Sequence, residues 1–175
     1  MCQLSTKFVI ISLVVCVAVF GCEPSFQRGD AFASEEKENS TFNVRITAFR
    51  EKRTFGQVLA GASYVFEAKK KNELEWKRFM VYNYDDAISI DKNSISFVSE
   101  TVGYVFMVNR FAVTTNGGDH WSVWDVAKIE PLKNDLSCRI QRVSILQDGS
   151  GTMDVKCNKS SVALSTNDFG VSWKR

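Results

Sequence analysis

The chain has 175 residues, with 22 Lys and Arg against 20 Asp and Glu and a single His, so its formal charge is only +2. Such near-neutrality gives no electrostatic case for a nucleic-acid partner, and the one histidine, His120, has no Cys or His at ligand spacing and no serine-elbow motif nearby, so neither a zinc site nor a Ser-His triad is encoded. Hydrophobic residues make up 45% of the chain, enough for a core in one domain of ordinary size.

Lys7 is the one positive charge ahead of a 13-residue apolar run, Phe8 to Phe20. The run is too short to span a bilayer and fits the apolar region of an export signal. It ends in Val19-Phe20-Gly21-Cys22, which resembles a bacterial lipobox: aliphatic at −3, small at −1, Cys at +1. The resemblance implies that residues 1–21 are a lipoprotein signal peptide and that Cys22 is the acylated (palmitate-bearing) first residue of the mature protein. The protein would then sit on the periplasmic face of a bacterial membrane. An ordinary secretory peptide and an uncleaved signal anchor are the other readings. Residues 22–41 hold Pro, Gly, Ser and a small acidic cluster, and are expected to be a flexible tether. Residues 42–175 are expected to be the folded domain.

No segment of that domain carries a helical period, so the expectation is all-β. Phe42, Val44, Ile46 and Ala48 alternate onto one face. Tyr64–Ala68 and Leu74–Tyr82 read as a hairpin, with Lys69-Lys70-Lys71 at a solvated tip rather than in a binding site. The acidic stretch Asp85–Asn93 lacks the EF-hand order and central Gly, and reads as a connection. Ile95–Val98, Tyr104–Val108 and Phe111–Thr114 are three short strands; the second is apolar throughout, which fits burial on both faces. Cys138–Leu146, Met153–Cys157 and Val162–Thr166 echo them. Cys138 and Cys157 flank the turn Gln147–Gly151 and can face each other across it. An oxidising compartment would join them, for about 3 kcal/mol in the chain-entropy model; two free buried thiols are the alternative.

Each triplet of strands ends in the same phrase. Thr114-Thr115-Asn116-Gly117-Gly118-Asp119-His120-Trp121 and Thr166-Asn167-Asp168-Phe169-Gly170-Val171-Ser172-Trp173 both read Thr, any, Asn/Asp, any, Gly, any, any, Trp, and they start 52 residues apart. Asn and Asp can bond the backbone of their own turn, and Gly supplies positive φ. Over residues 95–173 this pattern resembles the Asp-box, or BNR, repeat of sialidases and of photosystem II stability/assembly-factor propellers. The resemblance implies blade-like antiparallel meanders in which Thr114, Asn116, Gly118, Trp121, Thr166, Asp168, Gly170 and Trp173 are structural turn residues, not ligands. Trp76 lies 45 residues before Trp121 and is expected to mark a first, eroded repeat. About three such units fall short of the 4–8 blades of a closed propeller. A partial propeller, a compact β-sandwich or half of a homodimeric propeller remain open, with a short final strand after Trp173.

The resemblance to sialidases also raises the question of catalysis. Val44-Arg45-Ile46-Thr47 has the Arg and Ile of the sialidase Arg-Ile-Pro motif but Thr in place of Pro, and no P-loop or dinucleotide fingerprint is present. The expectation is a protein that is not an enzyme, has no cofactor or metal, and works by binding an envelope or periplasmic protein, as an assembly factor or a toxin-neutralising inhibitor. Tyr82, Tyr84 and Trp124 are the candidate aromatic surface, although stacked sheets would bury them. The alternative is a glycan-binding or sialidase-like domain using Arg45.

Overall fold

The computed structural model describes residues 28–51, 61–130, 132–133, 135–158 and 160–175. Eleven strands among them form three antiparallel sheets, none of them closed into a barrel. The first sheet is β1 (Arg28–Glu38), β2 (Phe42–Glu51), β3 (Ala62–Lys70) and β4 (Lys77–Tyr84). The second is β5 (Ile95–Phe97), β6 (Gly103–Met107), β7 (Arg110–Thr114) and β8 (Ser122–Asp125). The third is β9 (Arg139–Ile145), β10 (Gly151–Lys156) and β11 (Ser161–Thr166). Each sheet is a meander in which sequence neighbours are hydrogen-bonded neighbours. A 3-10 turn, Val126–Lys128, leads from the second sheet to the third.

The sheets stack face to face, with the second in the middle. Successive side chains on a strand point to opposite faces, and here both faces are used. Val105, Met107 and Ala112 pack with Phe42, Val44, Ile46, Tyr64 and Phe66 of the first sheet. Tyr104, Phe106, Phe111 and Val113 pack with Val143, Met153, Val155 and Leu164 of the third. All five residues of β6 are buried, as its uninterrupted apolar sequence requires. The outer face of the third sheet is polar. Arg142, Ser144, Thr152 and Lys156 lie exposed on the third sheet. On the first, Arg45 and Glu67 form an ion pair at 2.7 Å. Beside that pair, Val65 and the 44%-exposed Val81 lie opposite each other on the same outer face.

One expectation is corrected. Residues 28–38 of the supposed tether are strand β1, paired with β2 from Arg28↔Glu51 to Glu38↔Asn43. Its composition reads as linker because an edge strand needs little apolar surface. Lys37, opposite Val44, instead donates to the Ile95 carbonyl at 2.9 Å and ties β1 to β5. Trp76, expected to mark a first, eroded repeat, is partly buried. It sits between β3 and β4, flanked by Arg45 at 4.1 Å and Lys69 at 5.0 Å from its ring centre. The expected signal peptide and Cys22 lie outside the described residues.

The stack has two distinct ends. The Thr114–Trp121 turn, the Thr166–Trp173 turn and the β3–β4 tip lie at one, where Lys70 meets Asp119 at 2.6 Å. The opposite, crossover end carries the connections from sheet to sheet. There Arg28 starts β1, and the register Arg50↔Ala62↔Tyr84 ends the first sheet.

Candidate functional site

The two Thr-to-Trp turns share one hydrogen-bond plan. Thr114 Oγ1 donates to Asn116 Oδ1 at 2.9 Å and accepts from Gly118 N at 3.0 Å, while Asn116 Oδ1 also accepts from His120 N at 3.0 Å. In the second turn Thr166 Oγ1 donates to Asp168 Oδ1 at 2.7 Å and accepts from Gly170 N at 2.9 Å; Asp168 Oδ1 accepts from Ser172 N at 2.8 Å. Gly118 and Gly170 have φ of +88° and +87°, where a Cβ is strained. The tryptophans then close each turn by packing. Trp121 stacks on Phe79 with ring centres 4.0 Å apart, and Trp173 meets Phe111 edge-on at 5.4 Å. Neither indole Nε1 has a hydrogen-bond partner. The Thr hydroxyls and the Oδ1 atoms of Asn116 and Asp168 thus bond within their own turns.

The aromatic candidates divide. Tyr82 is 8% exposed and belongs to the first core; burial pushes its hydroxyl up to about 12, against the opposing pull of Arg139. Trp124 is partly buried against the second core, and its Nε1 has no hydrogen-bond partner. The expected three-residue exposed patch is therefore corrected, because stacking a third sheet on the second covers Trp124, and the first core takes Tyr82. Tyr84 is partly buried against the first core, stacked on Tyr82 at 5.8 Å.

What the fold brings to Tyr84 was not legible in the sequence. Arg139, 55 residues further on, donates from Nη2 to the Tyr84 hydroxyl at 2.8 Å, and its guanidinium lies 5.3 Å from the Tyr84 ring centre. Its Nη1 donates to the Leu136 and Cys138 carbonyls at 2.8 and 3.0 Å. No carboxylate among the described residues pairs with it. Leu136 itself is 75% exposed. On β7 of the second sheet, Arg110 is paired with Asp125 at 2.7 Å and lies over Tyr82 at 5.3 Å. At the same end Val108 has φ of +54°, an outlier for a β-branched residue, and its carbonyl accepts from Ile140 N at 2.6 Å. The crossover end is thus a seam of three sheets, held by two arginines over two tyrosines.

Cys138 and Cys157 are joined, with S–S 2.05 Å. They lie with Asp135 in a cluster of metal-ligand type, but a bridged pair has no thiolate to offer. The Lys69–Lys71 run is internally neutralised: Lys70 pairs with Asp119, Lys71 with Glu38, and Lys69 rests on Trp76. Arg45 is likewise committed, with bonds of 3.1 and 2.7 Å to Glu67 Oε2. Comparisons of the chain with protein-family models, with curated proteins and with solved structures returned no match.

Proposed function

We propose that this chain is an envelope lipoprotein, cleaved after residue 21 and acylated at Cys22, whose β domain works by binding a protein partner near the membrane. The Tyr84–Arg139 pair beside exposed Leu136 carries the reading. Tyr and Arg are the residues that dominate binding hot spots, and an apolar neighbour excludes water from them. A guanidinium with only neutral acceptors is ready for a carboxylate on the partner.

The position of β1 supports the membrane-proximal part. Arg28 starts β1 at the crossover end, six residues after Cys22. Six residues reach at most about 20 Å. A lipid on Cys22 would hold the Tyr84–Arg139 seam toward the bilayer and the two Asp-box-like turns away from it. The congruent hydrogen bonding of those turns, in successive sheets, supports the resemblance to Asp-box blades.

The test is recovery of partners from an envelope fraction by the tagged, lipidated protein. One stoichiometric protein is expected, lost in Leu136→Asp and in Arg139→Ala. Equal recovery by wild type and both variants would refute this surface. A second reading, an acidic-glycan site, draws on Trp76 with its two cationic neighbours. It requires a sugar carboxylate to displace Glu67 from Arg45, so Arg45→Ala should abolish binding to sialylated glycans while leaving the protein partner in place.

A further inference from the structure

Three open sheets have six edges, and an unpaired edge invites another strand unless it is short or charged. β5 and β8 are three and four residues long. β1, β4 and β9 carry charges: Arg28, Asp30 and Glu35–Glu38 on β1, Lys77 and Arg78 on β4, Arg139 and Arg142 on β9. β11 differs. It reads Ser-Val-Ala-Leu-Ser-Thr over six residues, with no charge and no proline.

Its outer side is also vacant. Ser165 exchanges both backbone bonds with Lys174, at 2.6 and 2.8 Å, in a single isolated bridge. Backbone direction alternates along a strand, so Ala163 and Ser161 point their N–H and C=O groups to that same side. Neither has a partner there among the described residues. Val162, on the core side between them, is only partly buried against the second core.

We infer that β11 pairs antiparallel with β11 of a second copy of this chain about a two-fold axis at Val162. The free groups are self-complementary in that register. Ala163 of each copy faces Ser161 of the other, which makes four N–H···O bonds from the four vacant groups of each pair of residues and leaves the Ser165–Lys174 bridge in place. Val162 meets its own counterpart at the close, non-hydrogen-bonded position, and the partly exposed valines cover each other. The contact is isologous, so it closes at two copies. The result is one continuous sheet, β9–β10–β11 followed by the copy's β11–β10–β9. Any extended segment carries the same backbone groups, but a second copy also brings Val162 against Val162 and covers two uncharged edges in one closed contact, which is why the second copy is the occupant.

The test uses the full chain in detergent with Val162→Cys, oxidised with copper phenanthroline and run on a non-reducing gel. A disulfide-linked pair of this chain is expected at least tenfold above two controls, the wild type and the exposed Thr152→Cys. Adding Ala163→Pro should abolish it, because proline removes an outward N–H and is tolerated on an edge strand. Ser161→Pro, at the first residue of the strand, repeats the experiment should Ala163→Pro fail to fold. Cross-linking no stronger than in Thr152→Cys, cross-linking that survives both prolines, or a cross-link to a different protein would each overturn the inference.

Discussion

Gly170→Ala should be more damaging than the same change at Gly118, although the two glycines hold equivalent places in the two turns. Both have positive φ, so each alanine carries about 1–2 kcal/mol of backbone strain. The surroundings differ. A Cβ on Gly118 would stand 3.2 Å from Phe42 Cδ2, so that ring, though also buried, has to give by only a few tenths of an ångström. A Cβ on Gly170 would stand 2.9 Å from Phe111 Cζ and 3.1 Å from Trp173 Cζ2. Phe111 is fully buried and braced by Trp173. Forcing it aside is overpacking, at about 1–3 kcal/mol. The total for Gly170→Ala is then about 2–5 kcal/mol, against roughly 1–2 kcal/mol for Gly118→Ala. In a domain of about 150 residues each kcal/mol moves the midpoint about 2–4 °C. Thermal melts by circular dichroism should show a loss of roughly 4–20 °C for Gly170→Ala and less for Gly118→Ala. A Gly170→Ala melt within a degree of wild type, or one less perturbed than Gly118→Ala, would refute the turn geometry.

Removing the disulfide with Cys138→Ala plus Cys157→Ala should cost about 3 kcal/mol for its separation of 19 residues; chemical denaturation of the double variant measures it, and an unchanged midpoint would contradict the bridge. The second turn should be acid-sensitive and the first should not. Burial raises the Asp168 carboxyl, but bonds from the Ser172 hydroxyl, the Ser172 N–H and Thr166 outweigh it and hold the group below its ordinary value. A pKa lowered on folding means that the anion adds stability above the unfolded value of about 3.9 and loses it as pH falls through the folded one. Asp168→Asn should flatten the fall in melting temperature between pH 5 and pH 2, and Asn116→Asp should steepen it; superimposable profiles would remove the argument. Arg45→Ala breaks a partly buried ion pair, its side chains 29% and 17% exposed, and should lower stability by about 1–3 kcal/mol, so a larger drop in the melt would mean Arg45 does more than hold Glu67 and Trp76. Cys22→Ser should move the protein from the membrane pellet to the soluble fraction; retention in the pellet would exclude the lipid anchor.

How far the sequence reaches depends on whether the governing contact is local. The alternation of Phe42, Val44, Ile46 and Ala48 names the inner face of β2, and all four are buried. The apolar run at β6 names a strand covered on both sides. The Thr, Asn/Asp and Gly of each turn bond one another within five residues, so their geometry follows from their spacing. The pairing of Cys138 with Cys157 follows from the hairpin between them.

Other features depend on partners far along the chain. β1 is a strand because β2 supplies its hydrogen bonds and Lys37 finds the Ile95 carbonyl 58 residues away; its own polar composition says linker. Trp76 has the spacing of a box tryptophan but no glycine turn before it, and Arg45 and Lys69 flank its ring. Tyr82 and Tyr84 are two residues apart and look alike in sequence, yet one is core and one meets Arg139. Side-chain period and turn chemistry are written into neighbouring residues, and they set the strands, the two turns and the disulfide. Which sheet lies on which face, and which arginine reaches which tyrosine, follows from the order in which the sheets stack, and no residue's immediate neighbours encode that.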